Sequence, residues 1–286
     1  MNHGRLSDES PPTNRELQAQ VDQLAWYHTF DVTPGVTTRG WFDLRHALDE
    51  IPWPAIEGRR CLDIGTWDGF YAFELERRGA SEVVAVDVPD LRLIDFPPAV
   101  IADPSFDPEP PGKQSRSAGF RLLHDALNSK VQWQGVSVYD LAESGLGEFD
   151  VVVLGSLLVH LRDPVKALDA VRRVTRGHLV LADYLHWPLE VLSWKRPLAE
   201  LRGVGSDFQW WLASSSALRQ MLKVAGFEIL DETRPFLLRE RGQPRPSGMR
   251  ALAPYSAGVV VKSMIARDWR HRGHLHRAFL AEPMFR

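Results

Sequence analysis

A chain of 286 residues, 44% hydrophobic and 25% charged, fits one large domain or one domain with additions and excludes global disorder. Its formal net charge of -3 gives no general attraction to nucleic acid or to an anionic membrane. The single cysteine, Cys61, excludes a disulfide framework within the chain and fits a reducing compartment.

The opening "MNHGRLSDESPPTNREL" is polar and lacks the apolar core of a secretory signal. No stretch approaches the ~20 apolar residues that cross a bilayer, so the expectation is a cytoplasmic protein with no membrane partner. Residues 1–13 read as a flexible tail, and 14–57 as an N-terminal cap of helices and loop. Within the cap, "NRELQAQVDQLAWY" predicts a helix with Leu17, Val21 and Leu24 on one face. "HTFDVTPGVTTRGWFD" has no clean period and carries Pro34, Gly35 and Gly40, which predicts an ordered loop. "LRHALDEI" predicts a second, short helix.

From Arg60 a repeating pattern begins. "RCLDIG", "SEVVAVDV", "VQWQGVSVYD", "FDVVVLGSL" and "HLVLADYL" are apolar runs that predict strands buried on both faces. Helical segments at 68–78, 116–129 and 163–175 lie between them, which argues for a parallel sheet with right-handed crossovers. The stretch from Pro89 to Gln114 holds six further prolines and predicts a surface excursion. Residues 186–212 interrupt the pattern with four tryptophans. "SSSALRQMLKVAGF" restores a helix, capped by serine and stopped by Gly226. "EILDETRP" and "SAGVVVKSMIA" predict an antiparallel pair of strands. Residues 266–286 read as a basic tail that packs as a helix.

The first strand ends at Asp63, and Gly65 and Gly69 flank the turn that follows it. A turn of this kind exposes free N–H groups at a helix start and lets a ligand approach the backbone. Asp87 ends the second strand 22 residues after Gly65, a spacing suited to an acceptor for ribose hydroxyls. A dinucleotide fingerprint would need glycine at 67, where this chain has Trp67. Asp68 at the helix start would also repel a pyrophosphate. A cofactor with a positive charge and no phosphate fits better, and S-adenosylmethionine is one.

"LDIGTWDGFYAFELERRGASEVVAVDV" resembles the first two motifs of class I S-adenosylmethionine-dependent methyltransferases. The resemblance covers residues 58–265 and implies an α/β, Rossmann-like fold. Its seven-stranded, mostly parallel sheet would carry helices on both faces and a terminal antiparallel hairpin. It implies that Gly65, Thr66, Trp67 and Gly69 line the methionine end, with Asp63 near the amino group and Asp87 on the ribose. "SVYD", with Val138 and Tyr139, matches the adenine-contacting segment. "LGSLLVHLRDP", with Gly155 and Ser156, matches the segment facing sulfonium and substrate. The insertion at 186–212 matches the place of a substrate lid.

"WYHTFDVTPGVTTRGWFDLR", "DIGTWDGF" and "VHLRDP" resemble a narrower group, the tRNA wobble-uridine (carboxy)methyltransferase-like family. Its named members transfer a carboxymethyl group from carboxy-S-adenosylmethionine. They hold the extra carboxylate with a lysine upstream of the turn, and here no lysine precedes Lys113. They also use a tyrosine where this chain has Val159, although Arg39 could stand in for the lysine. Plain S-adenosylmethionine is therefore favoured.

For a hydroxyl acceptor, His160 is the first candidate base and His28 the second. Arg39, Trp41, Asp183 and Trp211 are candidate substrate contacts. Asp183 could equally cap a turn, and the lid tryptophans could equally cover the core. "HRGHLH" (271–276) lacks convincing ligand spacing, so no metal is expected. The favoured function is methyl transfer to a small-molecule acceptor by O- or N-methylation. The alternatives are a tRNA-modifying enzyme, suggested by the arginines at 234–250 and 267–277, and a non-catalytic scaffold.

Overall fold

The computed structural model describes residues 12–106, 117–193, 195–204, 208–240 and 274–285. The chain enters through helix α1 (Asn14–Asp22), which starts with a reciprocal capping box between Thr13 and Glu16 and buries Leu17 and Val21. The predicted ordered loop contains a small hairpin, β1 (Asp31–Thr33) with β2 (Val36–Thr37), and a short strand, β3 (Phe42–Asp43).

"LRHALDEI" does not form the predicted helix. It makes successive turns, with Ala47 N–H donating to Leu44 O and Glu50 N–H to Ala47 O. Pro52 follows directly, and the residue before a proline is pushed away from helical torsions.

The strand–helix alternation then runs as the sequence predicts, except that the strand expected over "VQWQGVSVYD" stops at Gly135 and Val138–Glu143 form a 3-10 helix. Strand β4 (Arg60–Ile64), helix α2 (Phe70–Arg77), strand β5 (Glu82–Asp87) and a short helix α3 (Pro98–Ile101) come first. Helix α4 (Ala118–Ala126), strand β6 (Gln132–Gly135), strand β7 (Phe149–Gly155) and helix α5 (Pro164–Val174) follow. Strand β8 (Thr175–Tyr184) leads into the insertion, which holds helix α6 (Trp187–Ser193) and a hairpin of β9 (Ala199–Leu201) with β10 (Trp211–Ala213). Helix α7 (Ser215–Val224) and strands β11 (Phe227–Glu232), β12 (Phe236–Glu240) and β13 (His274–Pro283) complete the chain.

The central sheet runs β6-β5-β4-β7-β8-β13, with β11 and β12 both pairing the far side of β13. β6, β5, β4, β7 and β8 are parallel, and β13 runs antiparallel to β8. Side chains alternate between two cores. Leu62, Ile64, Val152, Leu154, Leu179 and Leu181 face α5 and α7, while Cys61, Val83, Val151, Val153 and Val180 face α2 and α4. Burial on both faces is the physical reason these strands read as unbroken apolar runs.

The terminal hairpin differs from expectation in its partner. β11 pairs with His274–Pro283, inside the segment predicted to be a basic helical tail. "SAGVVVKSMIA", the predicted partner, lies outside the described residues. "HLHRAFLAEP" alternates instead: Leu275, Phe279 and Ala281 serve one core, and Ala278 with Leu280 serves the other. Among the described residues no helix is long and apolar enough to cross a membrane.

Candidate active site

β4 is the point where strand order reverses, with β5 on one side and β7 on the other. Ligands of open α/β sheets bind beyond the carboxyl ends of the strands at such a point. Four carboxylates gather there: Asp63, Asp68, Asp87 and Asp183, each between 1% and 5% exposed.

Asp63 accepts the Ala72 amide of α2 at 3.1 Å. Burial pushes its carboxyl up to about 7; Thr66, His28 and the Ala72 amide pull the other way, and the Asp87 charge adds to the rise. The Thr66 hydroxyl is near enough to act on Asp63, yet its oxygen is buried without a hydrogen bond of ordinary geometry. Such an atom is a site for a ligand partner.

In the turn itself, Gly65 and Gly69 are left-handed at φ +72° and +92°. Trp67 is also left-handed, at φ 49°. A bulky residue rarely adopts that conformation, and such strain clusters at functional sites. The Trp67 amide donates to Asp87 Oδ2 at 2.9 Å, and its ring lies 5.2 Å from that of Tyr27. The other Asp87 oxygen takes the Val88 amide at 2.7 Å.

Asp68 binds the N-terminal segment. Its Oδ2 accepts the amides of Tyr27 at 3.0 Å and His28 at 2.8 Å, and its Oδ1 pairs with His28 Nδ1. None of Asp63, Asp68 and Asp183 is hydrogen-bonded to a lysine or arginine among the described residues.

Gly155 ends β7 and Ser156 follows it. A Cβ on Gly155 would lie 2.4 Å from the Tyr71 ring, so this glycine serves packing as well as any ligand. Gly155→Ala is expected to cost about 1–3 kcal/mol of stability through overpacking. Denaturant unfolding checks this, and an unchanged midpoint would leave ligand approach as the reason for the glycine. The Ser156 hydroxyl meets Nε2 of His276 at 3.0 Å, and His276 Nδ1 meets the His274 carbonyl at 2.9 Å. Nδ1 must therefore donate and Nε2 accept, with Ser156 as the donor. Burial pushes His276 down to about 3, which keeps it neutral. Of the "HRGHLH" histidines, His274 and His276 are thus strand residues of β13. Among the described residues no group of three His, Cys, Asp or Glu side chains could hold a metal ion.

Asp183 performs the turn-capping role. It accepts the amides of Leu158 at 2.8 Å and Tyr184 at 2.7 Å, and burial pushes it up to about 7. With Trp211, Leu158, Val159 and Tyr184 it also lines a narrow cleft, so two predicted substrate contacts meet. Arg39 and Trp41 are exposed, and the Trp41 ring stands 6.1 Å from that of Tyr27.

The insertion is bonded to the loops that follow β5 and β7. Trp210 donates its amide to Val159 O at 2.8 Å and its indole N–H to Asp95 O at 2.5 Å. Trp211 Nε1 donates to Arg162 O at 3.0 Å, and His160 Nδ1 donates to Phe208 O at 2.6 Å. Asp95 also accepts the Tyr139 hydroxyl at 2.6 Å, tying the predicted adenine segment to the loop after β5. Val138 is buried beside it.

Sequence reasoning missed Asp68 as a site residue and missed Asp95. Both act on partners 40 or more residues away, so linear spacing carries no signal of them. The cradle as a whole is acidic and offers left-handed backbone N–H groups. That donor set fits a cationic, phosphate-free ligand and opposes a pyrophosphate.

A family model described as a methyltransferase domain matches residues 38–232. The chain is 26% identical over 170 residues to the tRNA U34 carboxymethyltransferase of Helicobacter pylori (strain G27), covering 58% of this chain and 55% of that protein. It is 28% identical over 129 residues to the ubiquinone biosynthesis O-methyltransferase of Alkalilimnicola ehrlichii, covering 44% of this chain and 42% of that protein. The chain thus spans about half the length of these curated relatives. Among solved structures, the N-terminal domain of EvdMO1 with S-adenosylhomocysteine bound matches 98% of this chain and 99% of that one, at a TM-score of 0.51 and 17% identity. That likeness supports the fold alone. Because the family model matches well over half its length, the chain belongs to the methyltransferase-domain family.

Proposed function

We propose that the chain transfers a methyl group from S-adenosylmethionine to a small-molecule acceptor, at oxygen or nitrogen. The observation that carries this reading is the cradle of buried carboxylates at the carboxyl end of β4, which suits a ligand bearing a sulfonium and an ammonium. S-adenosylmethionine supplies an electrophilic methyl group on a good leaving group. Asp63, Gly65, Thr66, Trp67 and Gly69 would hold its amino-acid end, Asp87 its ribose, and Val138 with Tyr139 its adenine. Gly155 and Ser156 would border the reacting end. The insertion would exclude water, and His160 or His28 would take a proton from the acceptor.

The curated relatives include both a tRNA U34 carboxymethyltransferase and an O-methyltransferase of ubiquinone biosynthesis. The acidic cradle favours the plain cofactor over its carboxylated analogue. A further carboxylate beside Asp63, Asp68 and Asp183, without a cation bonded to any of them, would be costly to desolvate. Calorimetric titration with both cofactors tests the reading. Plain S-adenosylmethionine should bind at least about tenfold tighter, a difference of one modest charge–charge contact. Preference for the carboxylated form would move the function to carboxymethyl transfer on tRNA. Binding of neither would leave a scaffold.

A further inference from the structure

We propose that His28, oriented by Asp68, is the base that removes the proton of an acceptor hydroxyl, which makes the acceptor an alcohol or a phenol. This rests on the methyl-transfer reading above.

Asp68 occupies the turn itself, between left-handed Trp67 and Gly69. A carboxylate only accepts, so its bond to His28 Nδ1 places a proton on that nitrogen. In the neutral ring the lone pair is then on Nε2. That atom makes no hydrogen bond among the described residues, and it is not among the buried polar atoms left without a partner. It therefore keeps a small contact with solvent, in a side chain that is 10% exposed. Tyr27 at 4.8 Å and Phe70 at 5.2 Å pack around the ring and fix its plane.

The segment's placement points the same way. His28 lies within electrostatic reach of Asp63 at the end of β4. The adjoining Tyr27 lies within reach of both Asp68 and Asp183, the latter on β8. The Tyr27–His28 dipeptide thus lies near the carboxyl ends of β4 and β8. His160, the other candidate, gives its Nδ1 proton to the neutral carbonyl of Phe208. A carboxylate supports a forming imidazolium better than a carbonyl does.

The need for a base selects the acceptor. A neutral amine attacks with a free lone pair, whereas a hydroxyl must lose its proton as it attacks. The O–H proton passes to Nε2, and the oxygen pair forms the new O–CH3 bond. The C–S pair stays on sulfur, and the imidazolium later returns the proton to solvent. His28 is the catalytic residue in this scheme and Asp68 is a positioning residue.

The full chain with 15N-labelled histidine provides the test, with His28→Gln to assign the signals. The wild type should show the Nδ1–H tautomer at His28. Asp68→Asn keeps an oxygen for the Tyr27 and His28 amides, so the fold survives, but its amide N–H2 donates to Nδ1 and moves the ring proton to Nε2. The tautomer should therefore switch. Diethyl pyrocarbonate should modify Nε2 of His28 in the free wild-type protein, and the modification should be lost both in Asp68→Asn and when S-adenosylmethionine is bound. An unchanged tautomer in Asp68→Asn, or equal modification with and without bound S-adenosylmethionine, overturns the proposal. Calorimetry on the same samples separates the two levels. No binding of S-adenosylmethionine overturns the methyl-transfer reading and this proposal with it, whereas binding without protection overturns only the base.

Discussion

Asp68→Ala is expected to loosen the N-terminal segment and to lower stability by about 3–5 kcal/mol, the cost of breaking a buried pair from one side. The residue is 3% exposed, and its side chain accepts three donors, the amides of Tyr27 and His28 and the His28 ring. Alanine leaves all three without an acceptor, and each buried orphan costs about 1–3 kcal/mol. The loss is concentrated in one place. Thr38 Oγ1 donates to His28 O at 2.8 Å, and Phe42 N–H donates to Tyr27 O at 2.9 Å, so residues 38–42 are tied to the same dipeptide. Hydrogen exchange at Tyr27, His28 and Phe42 should accelerate together, and the denaturation midpoint should fall. Asp68→Asn should lose much less, because one oxygen can still take the two backbone amides. Equal stability of wild type and Asp68→Ala would show that the cap is held by its apolar contacts alone.

The same pair shows where the sequence stops being legible. The parallel strands were readable because burial on both faces leaves runs such as "VVVLG" with no polar alternation. The turn after β4 was readable because glycines and acids sit at fixed offsets from a strand end. His28 and Asp68 are 40 residues apart, and nothing in the local pattern of either one names the other. β13 was misread for a related reason. His274, His276 and Arg277 make it look like a solvated basic tail, yet the structure absorbs each of them. His276 is neutral against Ser156, and Arg277 reaches Glu232 at 3.5 Å. Those partners lie elsewhere in the chain, after β7 and on β11, so a local count of charges pointed the wrong way. The tryptophans of residues 186–212 were legible as a patch, but their indole bonds to Asp95 and Arg162 were not.

Cofactor affinity is expected to rise with pH up to about 7 and then level off. Burial pushes Asp63 up to about 7, so near neutrality the free protein holds its proton part of the time. A ligand bearing an ammonium or sulfonium beside it favours the carboxylate, so binding expels that proton. The sign follows from the proton count. The free protein binds more protons than the complex below pH 7, so the association constant grows as protons become scarcer. One proton corresponds to about tenfold in affinity per pH unit below 7, and to none above it, where both states are ionised. Asp183 is also pushed up to about 7, but amides of the turn it caps occupy it. Its shift bears on folding instead. Its folded value lies above the ordinary aspartate value of 3.8, so its contribution to stability is present at low pH and is lost as pH rises through 7. Calorimetry in two buffers of different ionisation enthalpy counts the protons released, and Asp63→Asn should abolish both the release and the slope. Release that persists in Asp63→Asn would move the linked group elsewhere in the cradle. A flat wild-type profile would mean that the positive end of the ligand does not approach Asp63 at all, and the orientation inferred from the turn would have to be reversed.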